Sequence, residues 1–488
     1  MTKIAPVVLS GGMGTRLWPM SRIRQPKQFQ SVDGNGGPSF LQSTVLRHRG
    51  DAFTDPVLVA SAREEDLLEE QLSAVGVKGT FIGEPMGRNT GPAVLAAALR
   101  LAEVDPATLM LVLPSDHAIT GDLNLTVGEM ARGASEGRIV LFGIVPRHAE
   151  TGFGYISAGA AIEGHDGLHH VESFIEKPSL ELAESLIAEG RTFWASGISM
   201  MRADVLIDEF AVHQPETLEA VKTAIARATP SRTGIVLDGE SFEHAENEPT
   251  ERLIFERSDL VSVAPTDVDW NDVGAWTAVH SLGKKSAQGN VETGEVMCIE
   301  TSNSLIRASD KLVTVIGLED VIIVDTADAL LVTNHKNAQK VKEAVSVLKA
   351  DGRIEVISHV EKAIGGIART LSPEPVETPE PVQPAQAPAS SDTVCEHVLQ
   401  NSEKVVVEAT GPGATMLTVA DGCGHFEGTT CDCEMLRESG AHMTIAAGER
   451  VSVSNSGPAP LRFVTVRLAP LGEAAGRGKR NNRDRAVA

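Results

Sequence analysis

The sequence is poor in aromatic, cysteine and basic residues, and two of these shortages exclude a class of protein. Aromatic residues make up 4% of the 488 positions, with Tyr155 as the single tyrosine. The five cysteines are odd in number and four fall in the last hundred residues, so they form no disulfide framework. Acidic residues outnumber basic ones by 66 to 43, a net charge of −23. General nucleic-acid binding needs a basic face and is excluded, so a few local cations must hold any phosphate ligand.

Long apolar runs are also missing. No stretch of about 18 consecutive apolar residues occurs, so the sequence predicts no membrane-spanning helix. The N-terminal "MTKIAPVVLSGG" lacks the charged start and apolar core of a signal peptide, and we expect a reducing, cytoplasmic environment. A chain of 488 residues is too long for one ordinary core, so we expect two or three domains.

Strand and helix patterns alternate in the first third of the chain. "IAPVVLSGG" is typical of a buried strand that ends in a glycine loop, "GPAVLAAALRLAEV" of a helix, and "TLMLVLPSDHAI" of a strand that breaks into polar residues. This alternation predicts an α/β fold with a parallel sheet covered on both faces. Ligands of such sheets lie at the carboxyl ends of the strands, where Gly11 and Asp116 both fall.

Composition divides the chain into five parts. Residues 1–282 carry the α/β pattern, and residues 283–352 hold short β runs closed by a helix. Residues 353–392 contain a Pro-rich linker. Residues 393–470 alternate like a small antiparallel β domain, and residues 471–488 form a basic tail that is expected to be disordered.

The segment "LSGGMGTRLWPMSRIRQPKQF" is the strongest local signal. It has neither the lysine of a P-loop nor the third glycine of a dinucleotide fingerprint, whose place Leu17 takes. Glycines let backbone N–H groups approach a phosphate, an arginine can grip it bidentately, and a lysine adds a point charge. A tight strand-to-helix turn with a surface arginine is the alternative. The residues concerned are Gly11, Gly12, Gly14, Arg16 and Lys27.

The whole segment closely resembles the signature of mannose-1-phosphate guanylyltransferases, within the sugar-nucleotidyltransferase superfamily. The resemblance continues in order through most of the first 350 residues, in "EPMGRNTGPAVLAAA", "LVLPSDH", "TGFGYI", "FIEKP" and "WNDVGAW". It implies a Rossmann-like mixed sheet and the transfer of GMP from GTP to mannose 1-phosphate, giving GDP-mannose and pyrophosphate. The attacking sugar phosphate is already an anion, so the reaction needs cations rather than a general base.

The resemblance also implies a role for individual residues. The catalytic cations are Arg16, Lys27 and Lys177. The nucleotide-binding residues are Gly11, Gly12, Gly14, Thr15, Glu84 and Asn89. The sugar-phosphate site comprises Gly154, Glu176, Lys177, Ser196 and Gly197. Asp116 and Asp272 hold Mg²⁺, which prefers a couple of carboxylates together with phosphates and water.

Plainer interpretations of the same residues stay open. Asp116 could be a turn or N-cap residue, and the Glu176–Lys177 dipeptide could be an exposed ion pair. Two positions also depart from the family pattern. Ala195 stands where the family has a sugar-binding asparagine, and Glu251 where it tends to have an aspartate. Another hexose 1-phosphate, or a non-catalytic subunit that senses nucleotide sugars, therefore remains an alternative.

The second half of the chain resembles the long bacterial members of this family. Their short β-helix-like region often mediates dimers, so the resemblance implies a homodimer. Their C-terminal cupin has mannose-6-phosphate isomerase activity, which would make the chain bifunctional. Cupin metal sites need a histidine cluster, and only isolated His425 and His442 occur here, so we expect a degenerate, cupin-like domain without isomerase activity. A soft-metal site or free thiols are both compatible with Cys423, His425, Cys431 and Cys433.

Overall fold

The computed structural model describes residues 3–363 except 13 and 32–35, and beyond them the strands that lie between 366 and 467. The chain divides into two compact units. The first comprises residues 1–324 and 331–347, and the second comprises residues 325–330 and 348–488.

The first unit begins with a large mixed sheet and its covering helices. The strands are β1 (Ile4–Ser10), β2 (Val57–Ser61), β3 (Thr80–Glu84), β4 (Leu109–Pro114), β5 (Ala118–Thr120), β6 (Ile139–Ile144), β7 (Gly154–Ala161), β8 (His169–Glu176), β9 (Thr192–Arg202), β10 (Thr229–Pro230), β11 (Gly234–Val236), β12 (Val261–Thr266) and β13 (Asp269–Asn271). The helices are α1 (Phe40–Arg47), α2 (Glu65–Ala74), α3 (Thr90–Ala102), α4 (Leu123–Ser135), α5 (Leu180–Ala188), α6 (Ala203–His213), α7 (Pro215–Ala226), α8 (Gly239–Phe242) and α9 (Trp276–Leu282).

Eleven of the described strands form one sheet in the order β10-β11-β3-β2-β1-β4-β9-β6-β12-β8-β7. β1 is central, and it pairs in parallel with β2 on one side and β4 on the other. Nearly every side chain of β1 and β4 is buried, because helices cover both faces of the sheet and leave no polar face. Asp116 therefore follows a strand that lies beside β1, the strand that ends just before Gly11.

The sheet is mixed, as the resemblance implied, and not purely parallel. β9 runs antiparallel between β4 and β6, and the β7–β8 hairpin lies at the far edge. β9 also pairs with β7, so the carboxyl end of β4 and the start of β7 are joined through one strand. This insertion places the segment predicted to bind sugar beside the segment predicted to bind metal.

The rest of the first unit is a small parallel β structure, which confirms the predicted β-helix-like region. Its strands are β14 (Val291–Thr293), β15 (Val296–Ile299), β16 (Leu305–Arg307), β17 (Val313–Ile316), β18 (Val321–Asp325) and β19 (Leu330–Asn334). β14, β16 and β18 stack in parallel register, as do β15 and β17. Helix α10 (Val341–Ala350) follows, where the sequence predicted a closing helix.

The second unit holds two antiparallel sheets, which confirms a C-terminal β domain. Their strands are β20 (Val360–Ala363), β21 (Gly366–Thr370), β22 (Val394–Leu399), β23 (Lys404–Glu408), β24 (Thr415–Asp421), β25 (Gly424–Gly428), β26 (Glu434–Leu436), β27 (His442–Ile445), β28 (Arg450–Asn455) and β29 (Leu461–Arg467). One sheet has the order β20-β21-β22-β29-β24-β27 and the other β23-β28-β25-β26.

Two sequence predictions need comment in this unit. The linker over 353–392 is wrong for residues 353–370, where β20 and β21 form a hairpin, because the prolines that prevent strand pairing begin only at Pro373. Residues 371–393 lie outside the described residues, as do the tail over 471–488 and Cys423, Cys431 and Cys433. No helix in the described part of the chain is long and apolar enough to cross a membrane.

Candidate active site

The glycine turn after β1 is shaped around a buried lysine. Gly14 has φ +55, in the left-handed region that favours glycine. A Cβ on Gly14 would lie 2.3 Å from the Cβ of Lys27, so only glycine lets the two backbones approach this closely. The hydroxyl of Ser21 donates to the Gly14 carbonyl at 2.6 Å and fixes the turn. Glycine is therefore required at position 14, because a larger residue would displace Lys27.

The ammonium group of Lys27 joins the two predicted metal ligands. Its Nζ donates to Asp116 Oδ2 at 2.9 Å and to the backbone carbonyl of Asp272. Lys27 is 3% exposed, whereas the Asp116 side chain is 36% exposed. Residues separated by 245 positions thus meet around one positive charge at the carboxyl edge of the sheet.

A two-stranded ribbon holds both aspartates in register. β5 pairs antiparallel with β13, with Trp270 opposite Ile119. The Trp270 indole N–H donates to His117 Nδ1 at 3.2 Å, and His117 Nε2 lies 3.8 Å from Asp116 Oδ1. Because Asp116 precedes β5 and Asp272 follows β13 in this antiparallel pair, both aspartates lie at the same end of the ribbon.

The surroundings of Asp116 stabilise its ionised form. Burial alone would raise the pKa of Asp116, but the Lys27 ammonium and His117 outweigh burial and lower the pKa below its usual value. Asp116 is therefore a carboxylate at neutral pH. At Asp272 the Oδ1 atom accepts the Gly274 backbone N–H at 3.0 Å, which orients that carboxylate.

The two aspartates suit a metal that is bound with its substrate. Among the described residues, no group of three or more His, Cys, Asp and Glu side chains could hold a metal ion by protein ligands alone. Mg²⁺ is usually held by one or two carboxylates, with phosphate oxygens and water completing the shell. The partial exposure of Asp116 leaves it accessible to such ligands, so Asp116 and Asp272 fit Mg²⁺.

The predicted nucleotide residues lie along the same edge. Gly11 and Gly12 are exposed, and a Cβ on either would meet no atom within 4 Å. Arg16 is exposed in the short turn Thr15–Leu17 that follows. The space above the end of β1 is therefore open to a ligand, with a guanidinium at its border.

Two strands away from β1, Glu84 ends β3 and Asn89 precedes α3. Glu84 is 8% exposed, and its Oε1 atom has no hydrogen-bond partner among the described residues. Burial and the negative charge of Glu64 raise the pKa of Glu84 to about 7. Asn89 is exposed, and its amide donates to the Asn247 side chain at 3.3 Å and to its carbonyl at 3.4 Å.

The predicted sugar residues form a second group around Gly154. A Cβ on Gly154 would lie 2.8 Å from Glu176 Oε2 and 3.3 Å from the Cβ of Ala195, so the residue at 195 borders this pocket. The pKa of Glu251 is raised, mainly by burial and further by the negative charges of Glu176 and Glu256. Lys177 pairs with Glu176 at 2.5 Å on the surface.

Ser196 is the one predicted sugar residue whose side chain faces elsewhere. Its hydroxyl is buried, donates to the Phe142 carbonyl at 2.6 Å and accepts the Ile198 N–H. The hydroxyl thus satisfies the irregular pairing of β6 and β9, and a role of Ser196 in sugar binding stays a prediction. Gly197 has φ +70, and a Cβ there would lie 3.3 Å from Pro114 at the end of β4.

Some predicted site residues have a strained backbone. Six described residues other than glycine have a positive φ. Two of them are predicted site residues, and a third directly follows one. The three are Asn89, Lys177 and Val273. Val273 is β-branched and 1% exposed, and its N–H donates to Asn271 Oδ1 at 2.7 Å. Strain of this kind persists where the surroundings hold a functional geometry in place.

Sequence reasoning missed three residues at the site. The bond between His117 and Trp270 joins elements 153 positions apart and has no local signal. Glu64 begins the acidic run "EEDLLEE", which is typical of a solvated helix start, yet its Oε2 atom is buried. A buried carboxyl in such a run can be found only from the fold.

Replacing Gly14 with alanine should displace Lys27 and lower kcat/KM at least about tenfold, because a small displacement of a positioned catalytic group lowers the reaction rate strongly. The matched control is Gly76→Ala, where φ is +64 but a Cβ meets nothing within 4 Å. Both variants carry the strain of a positive φ, so the difference between them reports the collision with Lys27. Measuring kcat/KM and the unfolding midpoint of both checks this. Equal losses in the two variants would contradict it.

Comparisons with known proteins identify the family of the chain. A family model described as nucleotidyl transferase matches residues 5–289, and one described as mannoseP isomerase/GMP-like beta-helix domain matches residues 294–348. A mannose-1-phosphate guanylyltransferase of Escherichia coli K12 is 36% identical over 367 residues, which are 74% of this chain and 76% of that protein. The xanthan biosynthesis protein XanB of Xanthomonas campestris is 38% identical over 362 residues, covering 74% and 76%. A crystal structure described as mannose-1-phosphate geranyltransferase from Thermus thermophilus is 28% identical, covers 71% of this chain and 99% of that chain, and has a TM-score of 0.63.

Proposed function

This chain belongs to the mannose-1-phosphate guanylyltransferase family of nucleotidyltransferases, and we propose that it transfers GMP from GTP to mannose 1-phosphate. The products are GDP-mannose and pyrophosphate. The observation that carries the proposal is the meeting of Lys27, Asp116 and Asp272 beside the glycine turn. The relative from Xanthomonas is named for xanthan biosynthesis, which suggests a polysaccharide precursor as the use of the product.

The chain's own residues account for positioning and charge. The open turn at Gly11 and Gly12 leaves room for a triphosphate, and exposed Arg16 can bind its oxygens bidentately. Lys27 supplies a second, buried cation whose position is fixed. An oxygen of the sugar phosphate attacks the α-phosphorus in line and pyrophosphate leaves. Two anions must be brought together, so preorganised cations contribute most of the catalysis.

A divalent ion is part of this proposal. Members of this family generally use one, and Asp116 and Asp272 are the residues that would hold Mg²⁺ here. When bound, Mg²⁺ neutralises negative charge on the phosphates. The residues of the chain provide what precedes that step: Lys27 keeps Asp116 ionised, and the β5–β13 ribbon brings both aspartates to the same end.

The sugar is the less constrained half of the proposal. Glu176 can accept from sugar hydroxyls and Lys177 can pair with the sugar phosphate, since both side chains are exposed beside Gly154. Ala195 offers no side-chain hydrogen bond, and a lost bond costs roughly 0.5–1.5 kcal/mol. Glu251 supplies an additional carboxyl near Glu176. This combination makes another hexose 1-phosphate the second candidate substrate.

The test is pyrophosphate release by the full-length protein across a panel of nucleoside triphosphates and hexose 1-phosphates. We expect GTP with mannose 1-phosphate to give the highest kcat/KM, with dependence on Mg²⁺. Release with GTP and a different hexose phosphate would change the sugar and keep guanylyl transfer. No release with any pair, despite tight binding of GDP-mannose, would instead favour a sensing subunit.

A further inference from the structure

Two carboxyl groups at the nucleotide edge have buried oxygen atoms without hydrogen-bond partners. Glu84 at the end of β3 is 8% exposed, and its Oε1 atom makes no hydrogen bond within the described part of the chain. The same is true of Oε2 of Glu64, in the short turn Ala62–Glu64 after β2. A buried polar atom without a partner costs about 1–3 kcal/mol, so a role outside the fold has to be considered.

Strand pairing brings the two groups to the same place. β2 and β3 are parallel, and Ser61 at the end of β2 lies opposite Glu84. The turn that carries Glu64 begins directly after Ser61, and the negative charge of Glu64 is strong enough at Glu84 to raise the pKa of Glu84. Both carboxyls therefore lie at the carboxyl edge of the sheet, Glu64 after the strand next to β1 and Glu84 one strand further away.

A structural role for Glu64 finds no support. It occupies the N-cap position of α2, yet its side chain makes no capping hydrogen bond. The cations on the adjoining elements are bound elsewhere: Arg232 pairs with Asp66 and Glu69, and Arg88 donates to the Ala245 carbonyl.

The other charged groups near this pair are engaged or exposed. On the α2 side, Glu65 accepts from Thr233, and Arg63 is exposed. After β11, the Asp238 carboxylate accepts from Ser241. Burial raises the pKa of Glu64 to about 7, as burial and Glu64 do for Glu84. Two such carboxyls hold one proton between them near neutral pH.

We propose that Glu64 is a specificity-determining residue for the nucleotide base and acts together with Glu84. This inference rests on the proposed binding of GTP at this edge. An ionised carboxyl accepts from adjacent N–H donors, and a protonated carboxyl donates to a carbonyl oxygen. The Watson–Crick edge of guanine presents that set, with N1–H and the N2 amino group as donors and O6 as acceptor. Bound guanine decides which carboxyl holds the proton: O6 accepts from a protonated Glu64, and ionised Glu84 accepts from the N–H donors.

The experiment is equilibrium binding of GTP and ATP to the full-length protein without sugar phosphate, for Glu64→Gln and Glu64→Leu. Glutamine keeps an N–H donor in place of the carboxylic acid, so we expect GTP affinity within about threefold of wild type. Leucine removes the donor, so we expect the dissociation constant for GTP to rise at least about tenfold. The ratio of the dissociation constant for ATP to that for GTP should fall. Glu70→Leu, at an exposed position of the same helix, is the matched control and should leave both affinities unchanged.

The dependence on pH provides an independent readout. The affinity of the wild type for GTP should fall between about pH 6 and about pH 8 as Glu64 loses its proton, and Glu64→Gln should show a smaller fall. Folding is checked in the same variants. A carboxyl whose pKa is raised by folding destabilises the native state as pH rises from about 4.5 to about 7. Glu64→Leu should therefore unfold at a higher temperature than wild type at pH 8.

The outcomes separate the two proposals. A folded Glu64→Leu variant that binds GTP as tightly as wild type would overturn the role of Glu64 and leave guanylyl transfer untouched. A wild type that binds ATP or another triphosphate but not GTP would overturn the proposed function itself.

Discussion

Replacing Asp272 with asparagine is expected to lower turnover at least about a thousandfold while the fold stays intact. Asparagine has the shape of aspartate and still accepts the Gly274 N–H at Oδ1, so the turn after β13 keeps its geometry. The substitution removes one of the two negative charges that would hold the metal. The metal would contribute several kcal/mol by stabilising the charge on the phosphates. About 1.4 kcal/mol corresponds to a tenfold change in rate, so a loss of about 4 kcal/mol gives this factor.

The measurement is pyrophosphate release at increasing Mg²⁺, together with the unfolding midpoint. Asp269→Asn is the matched control, because Asp269 is exposed at the start of β13, the short strand that Asp272 follows, and should tolerate the change. We expect saturating Mg²⁺ to restore part of the activity of Asp272→Asn. Unchanged turnover would remove Asp272 from the metal site.

Replacing Lys27 with methionine is expected to lower kcat/KM by about a hundredfold to a thousandfold, the usual effect of deleting one preorganised electrostatic contact. Methionine nearly preserves the volume of the buried side chain, whose Nζ lies 5.3 Å from the centroid of the Phe40 ring. It removes the ammonium from between Asp116 and the Asp272 carbonyl, so a major cause of the lowered pKa of Asp116 disappears. Asp116 then binds protons more readily, and activity should fall more steeply than in wild type as the solution is acidified.

Lys78→Met is the control for loss of a positive charge, since Lys78 is exposed between α2 and β3. Arginine should not rescue position 27, because Lys27 is 3% exposed and its Nζ already lies 2.9 Å from Asp116 Oδ2, so a longer, planar guanidinium cannot take the same place. The measurement is kcat/KM as a function of pH for wild type and Lys27→Met. A methionine variant within about threefold of wild type at neutral pH would show that Lys27 serves packing alone.

Helix α2, helix α3 and the central strands could be predicted because their signals are local. β1 and β4 are apolar runs that end in polar residues, and α2 ends just before Gly76. The strands β20 and β21 lie inside the predicted linker, because their pairing with each other has no signal as strong as the prolines that begin at Pro373. The bond of the Ser196 hydroxyl to a strand 54 positions away could not be predicted, because it depends on strand order.

The sequence alone determined the identity of the chemical groups and their places at strand ends, because period, glycine spacing and charge are properties of neighbouring residues. It also pointed to the family through a long ordered set of motifs. Tertiary structure decided which groups meet: the ammonium of Lys27 between Asp116 and Asp272, and the carboxyl of Glu64 beside that of Glu84. Such meetings depend on strand order and register across the sheet, and burial then changes what each carboxyl or ammonium group can do.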